Sequence, residues 1–201
     1  LTVDKFITAG YGRAVDFTKL SLKWPVQDQD PSILTRFGTP TILKMNTSGG
    51  VYTHESFDIT RSSTAISDEV VSPVNGVAIV MKEEGENSNY STSVAIFDES
   101  SHIIVSLLHV KPSSFLNESS FKRVSKGQVI GSLSLVESMP DPILQEIYKH
   151  THMTLIDVNN KQLVNPSHYM ADYVDTVAPT IEDIFLFDEF GMKHSNLANG
   201  E

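Results

Sequence analysis

Short runs of apolar and β-branched residues, separated by turn signals, recur along this sequence and strongly limit its fold. Residues 70–81 have strand character on both sides of the turn sequence Pro73-Val-Asn-Gly76. Residues 94–97 and 103–110 flank a polar tetrad in the same way, and 124–135 contain another glycine turn followed by a strand-like run. This pattern is typical of hairpins and short antiparallel strands.

Helix signals are much rarer in the sequence. Asp141 followed by Pro142 fits an N-cap residue and the first helical position, and residues 143–148 continue with helix-compatible residues. Residues 15–24 alternate loosely and are interpreted as strand-like. The sequence therefore predicts a mostly β chain with an antiparallel sheet or sandwich core, long loops and one or two short helices.

The bulk composition fits one domain and excludes several functions. The 201 residues are 40% hydrophobic, which is enough for a sizeable core. The 25 acidic and 15 basic residues give a net charge of −10, which argues against nucleic acid or an anionic membrane surface as the main partner. There is no cysteine, so disulfides and thiolate metal sites are excluded. No apolar run approaches the roughly 18 residues of a membrane span.

Changes in sequence character divide the chain into three parts. Residues 1–23 are expected to be an N-terminal extension with strand character, residues 24–170 the main domain, and residues 171–201 a linker and a C-terminal β segment. That last segment either packs on the main domain or begins a further module. Because the chain begins with Leu1 rather than Met, we expect a processed or excised product without its signal peptide.

Three histidine motifs carry the chemistry of the chain. They are His54-Glu-Ser-Phe-Asp58, the isolated His109 at the end of an apolar run, and His150-Thr-His152. Residues i and i+2 of a strand face the same side and lie roughly 6.6 Å apart. His150 and His152 can therefore face one site, where one binds a metal and the other reaches the substrate.

His54 and Asp58 can share that metal only if the chain bends between them. Four residues along a straight strand span about 13 Å, whereas ligands lie about 2 Å from their ion. Gly49-Gly50 disfavours a helix here, so we predict a kinked, extended segment around Ser56 with Glu55 pointing away. A zincin motif would need a second histidine at the position of Asp58.

Several segments in a fixed order resemble the lysostaphin/LytM-type zinc metallopeptidases, a family of peptidoglycan endopeptidases. The resemblance covers roughly residues 24–170 and consists of Arg36-Phe37-Gly38, His54-x-x-x-Asp58, Ser72-Pro-Val-Asn-Gly76, Leu107-Leu-His109, Lys126-Gly-Gln-Val-Ile-Gly131, His150-x-His152 and Asn165-Pro166.

The resemblance implies a site and a reaction. His54, Asp58 and His152 would bind one Zn²⁺, and His109 and His150 would be the catalytic histidines beside it. The chain would then be a zinc endopeptidase acting on peptidoglycan or its peptides. It would be secreted or periplasmic in a bacterium, and either a monomer or part of a larger multi-module chain.

The sequence departs from the family pattern at three places, the last of which would form one wall of the substrate groove that the resemblance implies across the zinc. Ser56 replaces the usual glycine between the first histidine and the aspartate, and Leu107-Leu108 replace a tyrosine before the catalytic histidine. The Gly/Ser/Thr-rich loop before the His-x-His motif is replaced by residues 137–141 and the short helix. Residues 46–50 precede the first motif, and we hypothesise that they lie over the metal in a latent form.

Other interpretations remain open at this point. The domain could be a non-catalytic wall-binding or regulatory module, or a peptidase with protein substrates. A biotinyl or lipoyl carrier domain is a third possibility, with Lys82 as the modified lysine, although it leaves the histidine motifs unexplained. His102, His168 and His194 are interpreted as surface or structural residues.

Overall fold

The predicted strands form antiparallel sheets in the computed structural model of the chain, which describes residues 2–28, 30–43, 50–82, 88–135, 140–170, 186–187 and 193–194. Short 3-10 turns cover Phe17–Lys19 and Pro166–Tyr169. In chain order the other elements are α1 (Thr2–Thr8), β1 (Ser32–Thr35), β2 (Pro40–Leu43), β3 (Gly50–Thr53), β4 (Phe57–Thr60), β5 (Glu69–Val71), β6 (Gly76–Lys82), β7 (Thr92–Asp98), β8 (Ile104–Leu108), β9 (Val110–Pro112), β10 (Lys122–Val124), β11 (Val129–Leu133), α2 (Pro142–Ile147), β12 (Thr151–Asp157), β13 (Gln162–Val164), β14 (Leu186–Phe187) and β15 (Lys193–His194).

Among the described residues, one large sheet dominates the fold. Its strand order is β1-β4-β12-β8-β7-β6-β10, and β13 pairs with the far end of β12. A smaller sheet has the order β5-β11-β9, while β2 pairs with β3 and β14 pairs with β15. The strand pairs in these sheets are antiparallel. The predicted mostly β, antiparallel fold with one or two short helices is therefore confirmed.

The main core lies on the face of the large sheet that the three-stranded sheet covers. Ile59, Leu107 and Met153 of the large sheet are fully buried there, as are Val70 and Ile130 of the smaller sheet. Fully burying an aliphatic side chain of this size stabilises the folded state by about 1.5–3 kcal/mol. This core fixes the strands from which the site residues project.

A second apolar cluster covers part of the opposite face. Phe6 of α1 is fully buried and lies against Phe97 of β7, Phe121 and Tyr11, with ring centroids 5.1–6.2 Å apart. Because β6 and β7 are covered on both faces, their sequences are nearly continuous apolar runs instead of alternating ones.

The strand expected in the N-terminal extension is wrong. Residues 1–23 contain α1 and a 3-10 turn that Asp16 caps, and only Leu22 makes an isolated bridge, to Met170. Leu20 and Leu22 are buried although they lie on an irregular segment, so their alternation reflects packing on the core. The helix α2 is as predicted, since the Asp141 carboxylate accepts a hydrogen bond from the Ile143 N–H at 2.8 Å.

Two glycines mark places where strands approach closely. At Gly131 a Cβ atom would lie 2.5 Å from the carbonyl oxygen of Lys111 on the neighbouring strand. At Gly76 a Cβ atom would overlap the carbonyl oxygen of Phe97. The turn sequences that end in these glycines are therefore required by backbone packing, independently of any function.

Some expectations fall on residues outside the described ranges. They include the loop at 46–49, residues 137–139 before α2, and most of 171–201, where only the short pair β14–β15 is described. The division into residues 1–23, 24–170 and 171–201 therefore stays a prediction. No helix in the described part of the chain is long and apolar enough to cross a membrane.

Candidate metal centre

Asp58 and His152 are brought together by strand register. They are direct partners in the antiparallel pairing of β4 with β12, so their side chains project from the same face of the sheet. The Asp58 Oδ1 atom lies 2.8 Å from His152 Nδ1. Phe57 and Met153, their chain neighbours, project into the core on the other face. The core thus fixes the orientation of both polar side chains.

His54 reaches the same point because the chain bends before β4. Strand β3 pairs with β2, whereas β4 belongs to the large sheet, and the chain bends at the buried Ser56 between them. His54 Nε2 lies 3.1 Å from Asp58 Oδ2, far closer than a straight strand would allow. The predicted bend at Ser56 is therefore confirmed, and Glu55 is exposed.

The three side chains fit a divalent metal with nitrogen and oxygen ligands. One ligand atom from each of His54, Asp58 and His152 can be chosen so that all three lie within 4.8 Å of one another. Ligands of a tetrahedral ion at about 2 Å are roughly 3.3 Å apart, and the contacts from Asp58 to the two histidines, at 2.8 and 3.1 Å, are close to that value. Two histidines with one carboxylate is a donor set that Zn²⁺ takes readily.

The tautomer of His54 supports a cation at this point. His54 Nδ1 lies 2.8 Å from the carbonyl oxygen of Ser56, which can only accept, so Nδ1 carries the hydrogen. In the neutral ring, Nε2 then directs a lone pair at the Asp58 carboxylate. Two acceptors 3.1 Å apart need a proton or a metal ion between them. A carbonyl that holds the second ring nitrogen is the usual partner of a metal-binding histidine.

His109 lies beside this group at another change of sheet. It separates β8 of the large sheet from β9 of the small one and has a φ of 65°, which turns the chain. Its Nδ1 donates to the carbonyl oxygen of Tyr90 at 2.5 Å, and its ring stacks on the Tyr90 ring with centroids 3.8 Å apart. Burial lowers the pKa of His109 to about 4, against the hydrogen bond to Tyr90, which raises it, and with a smaller lowering by the charges of His150 and His152. At neutral pH its Nε2 is therefore a free proton acceptor.

His150 completes the cluster from the residue before β12. Its Nδ1 donates to the carbonyl oxygen of Tyr148 at 2.7 Å, and its Nε2 lies 3.9 Å from Asp58 Oδ1. The rings of His150 and His109 are 4.9 Å apart between centroids. The structure thus brings together all five residues that the sequence motifs singled out.

Asp58 is the negative centre of this group. Burial by itself raises the pKa of Asp58, but the hydrogen bond from His152 and the charges of the nearby histidines hold it below its ordinary value of 3.8. The carboxylate is therefore ionised at neutral pH and can accept from a histidine or bind a cation.

Tyr90 and the three backbone carbonyls were missed by sequence reasoning. Tyr90 lies in a polar loop, and its contact with His109 spans 19 residues that include the whole of β7. A carbonyl carries no sequence signal at all. His102 and His168 lie elsewhere, because His102 Nδ1 contacts the carbonyl oxygen of Ala14 and His168 is exposed on the 3-10 turn after β13.

Comparison with known proteins identifies the fold. No family model matches the sequence, and no curated protein matches it in a sequence search. Among solved structures, the antimicrobial peptidase lysostaphin of Staphylococcus simulans is 14% identical and superposes with a TM-score of 0.51 over 87% of this chain and 65% of its own. Csd3 of Helicobacter pylori is 19% identical, with a TM-score of 0.49 over 79% of this chain and 37% of its own.

The catalytic domain of the prophage-encoded M23 protein EnpA of Enterococcus faecalis is also similar, with 15% identity and a TM-score of 0.44 over 69% of this chain. The chain spans about two thirds of the length of lysostaphin and just over a third of that of Csd3. The match to lysostaphin shows that the chain has the fold of a lysostaphin-type peptidase, as the sequence motifs predicted.

Proposed function

We propose that this chain is a zinc-dependent endopeptidase that hydrolyses peptide bonds in the cross-links or stem peptides of peptidoglycan. One observation carries the proposal. His54, Asp58 and His152 meet with metal-ligand spacing, and two further histidines, whose tautomers leave Nε2 free, lie beside them. The lysostaphin-type fold supports a peptidase.

The proposed ligands are His54, Asp58 and His152. When bound, zinc lowers the pKa of a coordinated water from about 15.7 toward 7 and polarises a substrate carbonyl. The negative charge of Asp58 balances part of the charge of the ion. Three protein ligands leave a position for water or substrate, which is the arrangement that catalytic zinc sites use.

We assign proton transfer to His109 and His150. His109 is neutral near pH 7, and its Nε2 can take a proton from the attacking water. The Tyr90 carbonyl holds the opposite nitrogen and keeps the ring in that tautomer. His150 carries the same Nδ1–H tautomer. Either imidazole, once it has taken up a proton at Nε2, can donate that proton to the leaving amine.

The net charge of the chain bears on how it would meet its substrate. With a charge of −10 the protein gains no electrostatic attraction to an anionic wall. Productive docking would then come from contacts around the metal centre or from another module. A secreted or periplasmic location is part of the same proposal, because peptidoglycan is found there.

The proposal is tested by digestion of purified peptidoglycan sacculi, with and without a zinc chelator, with the products identified by mass spectrometry. We expect defined peptide fragments that disappear with chelator and return with added zinc. The variant His109→Gln should retain zinc and release fragments far more slowly. Zinc at one per chain with no release from sacculi would contradict the peptidoglycan assignment. Casein and synthetic peptides would then be the next substrates.

A further inference from the structure

The helix α2 exposes its apolar side chains to solvent, whereas an ordinary surface helix packs them on the core. Ile143, Leu144, Ile147 and Tyr148 form one stripe and are 42–70% exposed. None of the residues of α2 is buried. Glu146, on the opposite side of the helix, and Lys149, just after it, face the body of the domain. Hydrophobic burial therefore does not hold this helix in place.

Four charges hold it instead, and they form a closed ring of alternating sign. Arg61 Nη1 lies 2.6 Å from Asp68 Oδ1 as an ion pair without hydrogen-bond geometry, and Asp68 Oδ2 lies 2.6 Å from Lys149 Nζ. Lys149 Nζ is also 2.7 Å from Glu146 Oε2, and Glu146 Oε1 is 2.5 Å from Arg61 Nη2. The side chain of Arg61 is only 2% exposed, so this is not an ordinary surface ion pair.

The four-charge ring connects the end of β4, near Asp58, with the residues just before His150. Arg61 follows Asp58 by three residues at the end of β4, and Lys149 directly precedes His150. Two side-chain hydrogen bonds flank His150 along the backbone. Thr60 Oγ1 donates to the Lys149 carbonyl at 2.5 Å, and Thr151 Oγ1 donates to the Leu108 carbonyl at 3.0 Å. The pairing of β12 with β4 fixes the backbone after His150, and the ring and the bond from Thr60 hold the backbone before it.

We propose that the ring of Arg61, Asp68, Glu146 and Lys149 is a positioning device that holds His150 against the metal centre. The inference rests on the proposed function, in which His150 takes part in proton transfer. The His150 ring is oriented by the carbonyl of Tyr148, at the end of α2. Any shift of α2 away from Arg61 and Asp68 therefore moves the His150 imidazole. A complete buried ion pair contributes little net stability, and removing one partner is costly only where the other charge is left unpaired. Without Glu146, both Arg61 and Lys149 still contact Asp68, so the effect of the ring falls on geometry more than on folding.

Glu146 is the member to replace, because it contacts two cations and is 40% exposed, so its loss leaves the core intact. The variant Glu146→Gln keeps the shape of the side chain and removes its charge. The matched control is Glu99→Gln, which breaks the exposed ion pair between Glu99 and Arg123 Nη1 at 2.7 Å. Glu146→Asp keeps the charge and serves as the conservative variant.

The test has two readouts at a temperature well below unfolding. The first is the imidazole ¹⁵N and ¹³C resonances of His150, assigned from the spectrum of His150→Gln and recorded with and without added zinc. The second is kcat and KM of hydrolysis, at a confirmed zinc content of one per chain. Misplacing a catalytic group by an ångström costs up to about a hundredfold in rate.

We expect Glu146→Gln to shift or broaden the His150 resonances and to lower kcat by roughly tenfold to a hundredfold, with KM and zinc content unchanged. Glu146→Asp should be intermediate, and Glu99→Gln should match the wild type. Unchanged His150 resonances in Glu146→Gln, or an equal effect of Glu99→Gln, would overturn the inference. If the wild type hydrolysed nothing, the proposed function would fail, and the resonances alone would still decide the role of the ring.

Discussion

The main chain orients the histidines of the candidate centre. The carbonyls of Ser56, Tyr90 and Tyr148 each accept from the Nδ1 of one histidine, so that its Nε2 carries the lone pair in the neutral ring. The Nε2 of His54 lies against Asp58 Oδ2. His152 differs, because its Nδ1 meets Asp58 directly. Histidines that contact the carboxylate should therefore differ in role from histidines held only by a carbonyl. Removal of a histidine that meets the carboxylate should affect metal binding, whereas removal of one held only by a carbonyl should affect proton transfer.

The first prediction concerns His152→Ala. Because His152 Nδ1 lies 2.8 Å from Asp58 Oδ1, the variant loses one of three proposed ligands. We expect zinc content to fall from one per chain to near zero, as measured by mass spectrometry of the metal after dialysis, and hydrolysis to disappear. The exposed His168→Ala variant is the control and should bind zinc normally. Retention of a full equivalent of zinc by His152→Ala would exclude His152 as a ligand.

The second prediction concerns His109→Gln. Its contacts are with Tyr90 and, ring to ring, with His150 and His152, so the proposed ligand set stays intact. Loss of a general base typically costs about 10²–10⁴ in rate. We expect a fall of that size in kcat with one zinc retained, measured by chromatographic release of peptide fragments. A variant that kept the wild-type rate would exclude His109 as the base.

Sequence motifs were sufficient to find the polar side chains of the site but not what orients them. His54, Asp58, His109, His150 and His152 stand out because histidine is scarce and their order matches a known pattern. The stacking of Tyr90 on His109 depends on the packing of a loop against a turn with positive φ, and neither is visible in a single sequence. The Ser56 carbonyl could not be predicted either, although the bend at Ser56 was.

At the level of secondary-structure elements, His54 and His109 both lie where the chain passes from one sheet to another. A strand that changes sheet must break its ladder, and the break allows a side chain to turn toward the site. The sequence predicts the strands themselves well, because alternation and turn residues are local signals. It does not predict sheet membership. Residues 70–81 have the pattern of two strands around a turn, yet β5 and β6 belong to different sheets because pairing is decided by distant partners.

The four-charge ring leads to a prediction of how stability depends on pH. Hydrogen bonding to Lys149 and the charge of Arg61 lower the pKa of Glu146 below its ordinary value of 4.5. A lowered carboxyl pKa contributes stability that is present above that ordinary value and is lost as pH falls through the folded-state pKa. For Lys149, burial lowers the pKa, but hydrogen bonds to Asp68 and Glu146 outweigh it and raise the pKa above 10.5. A raised lysine pKa contributes stability below that value and loses it as pH rises through the folded-state pKa.

We therefore expect the difference in unfolding temperature between wild type and Glu146→Gln to be largest at intermediate pH and to shrink at both extremes. The measurement is thermal unfolding followed by circular dichroism from pH 3 to pH 11, with Glu99→Gln as the exposed control. Because Glu146 is 40% exposed, solvent screens its contacts and the difference will be small. A difference that stayed constant over this whole pH range would contradict this account of the ring.

At the scale of the whole molecule, one face of the large sheet forms the main core and the other carries the candidate metal centre. One face carries the main core beneath the three-stranded sheet. The other face is covered by α1 over β6 and β7, and at β4 and β12 it carries Asp58 and His152. A metal ion bound there would tie β4, β12 and the segment before β4 together. These parts lie at different points of the sequence, so the ion would stabilise the fold as a whole.

Because a bound ion would connect these separate parts of the chain, zinc should raise the unfolding temperature. A ligand that binds only the folded state stabilises it by about 2.7 kcal/mol when the concentration of free ligand is about a hundred times its dissociation constant. For a domain of this size each kcal/mol shifts the unfolding temperature by about 2–4 °C, so zinc should raise it by roughly 5–10 °C. Differential scanning calorimetry of the dialysed protein, with zinc added stepwise, measures the shift. His152→Ala should show almost none, since the ion would lose a ligand from β12. An equal shift in His152→Ala would mean that zinc stabilises the chain from another site, and the centre described here would then not be the one that binds it.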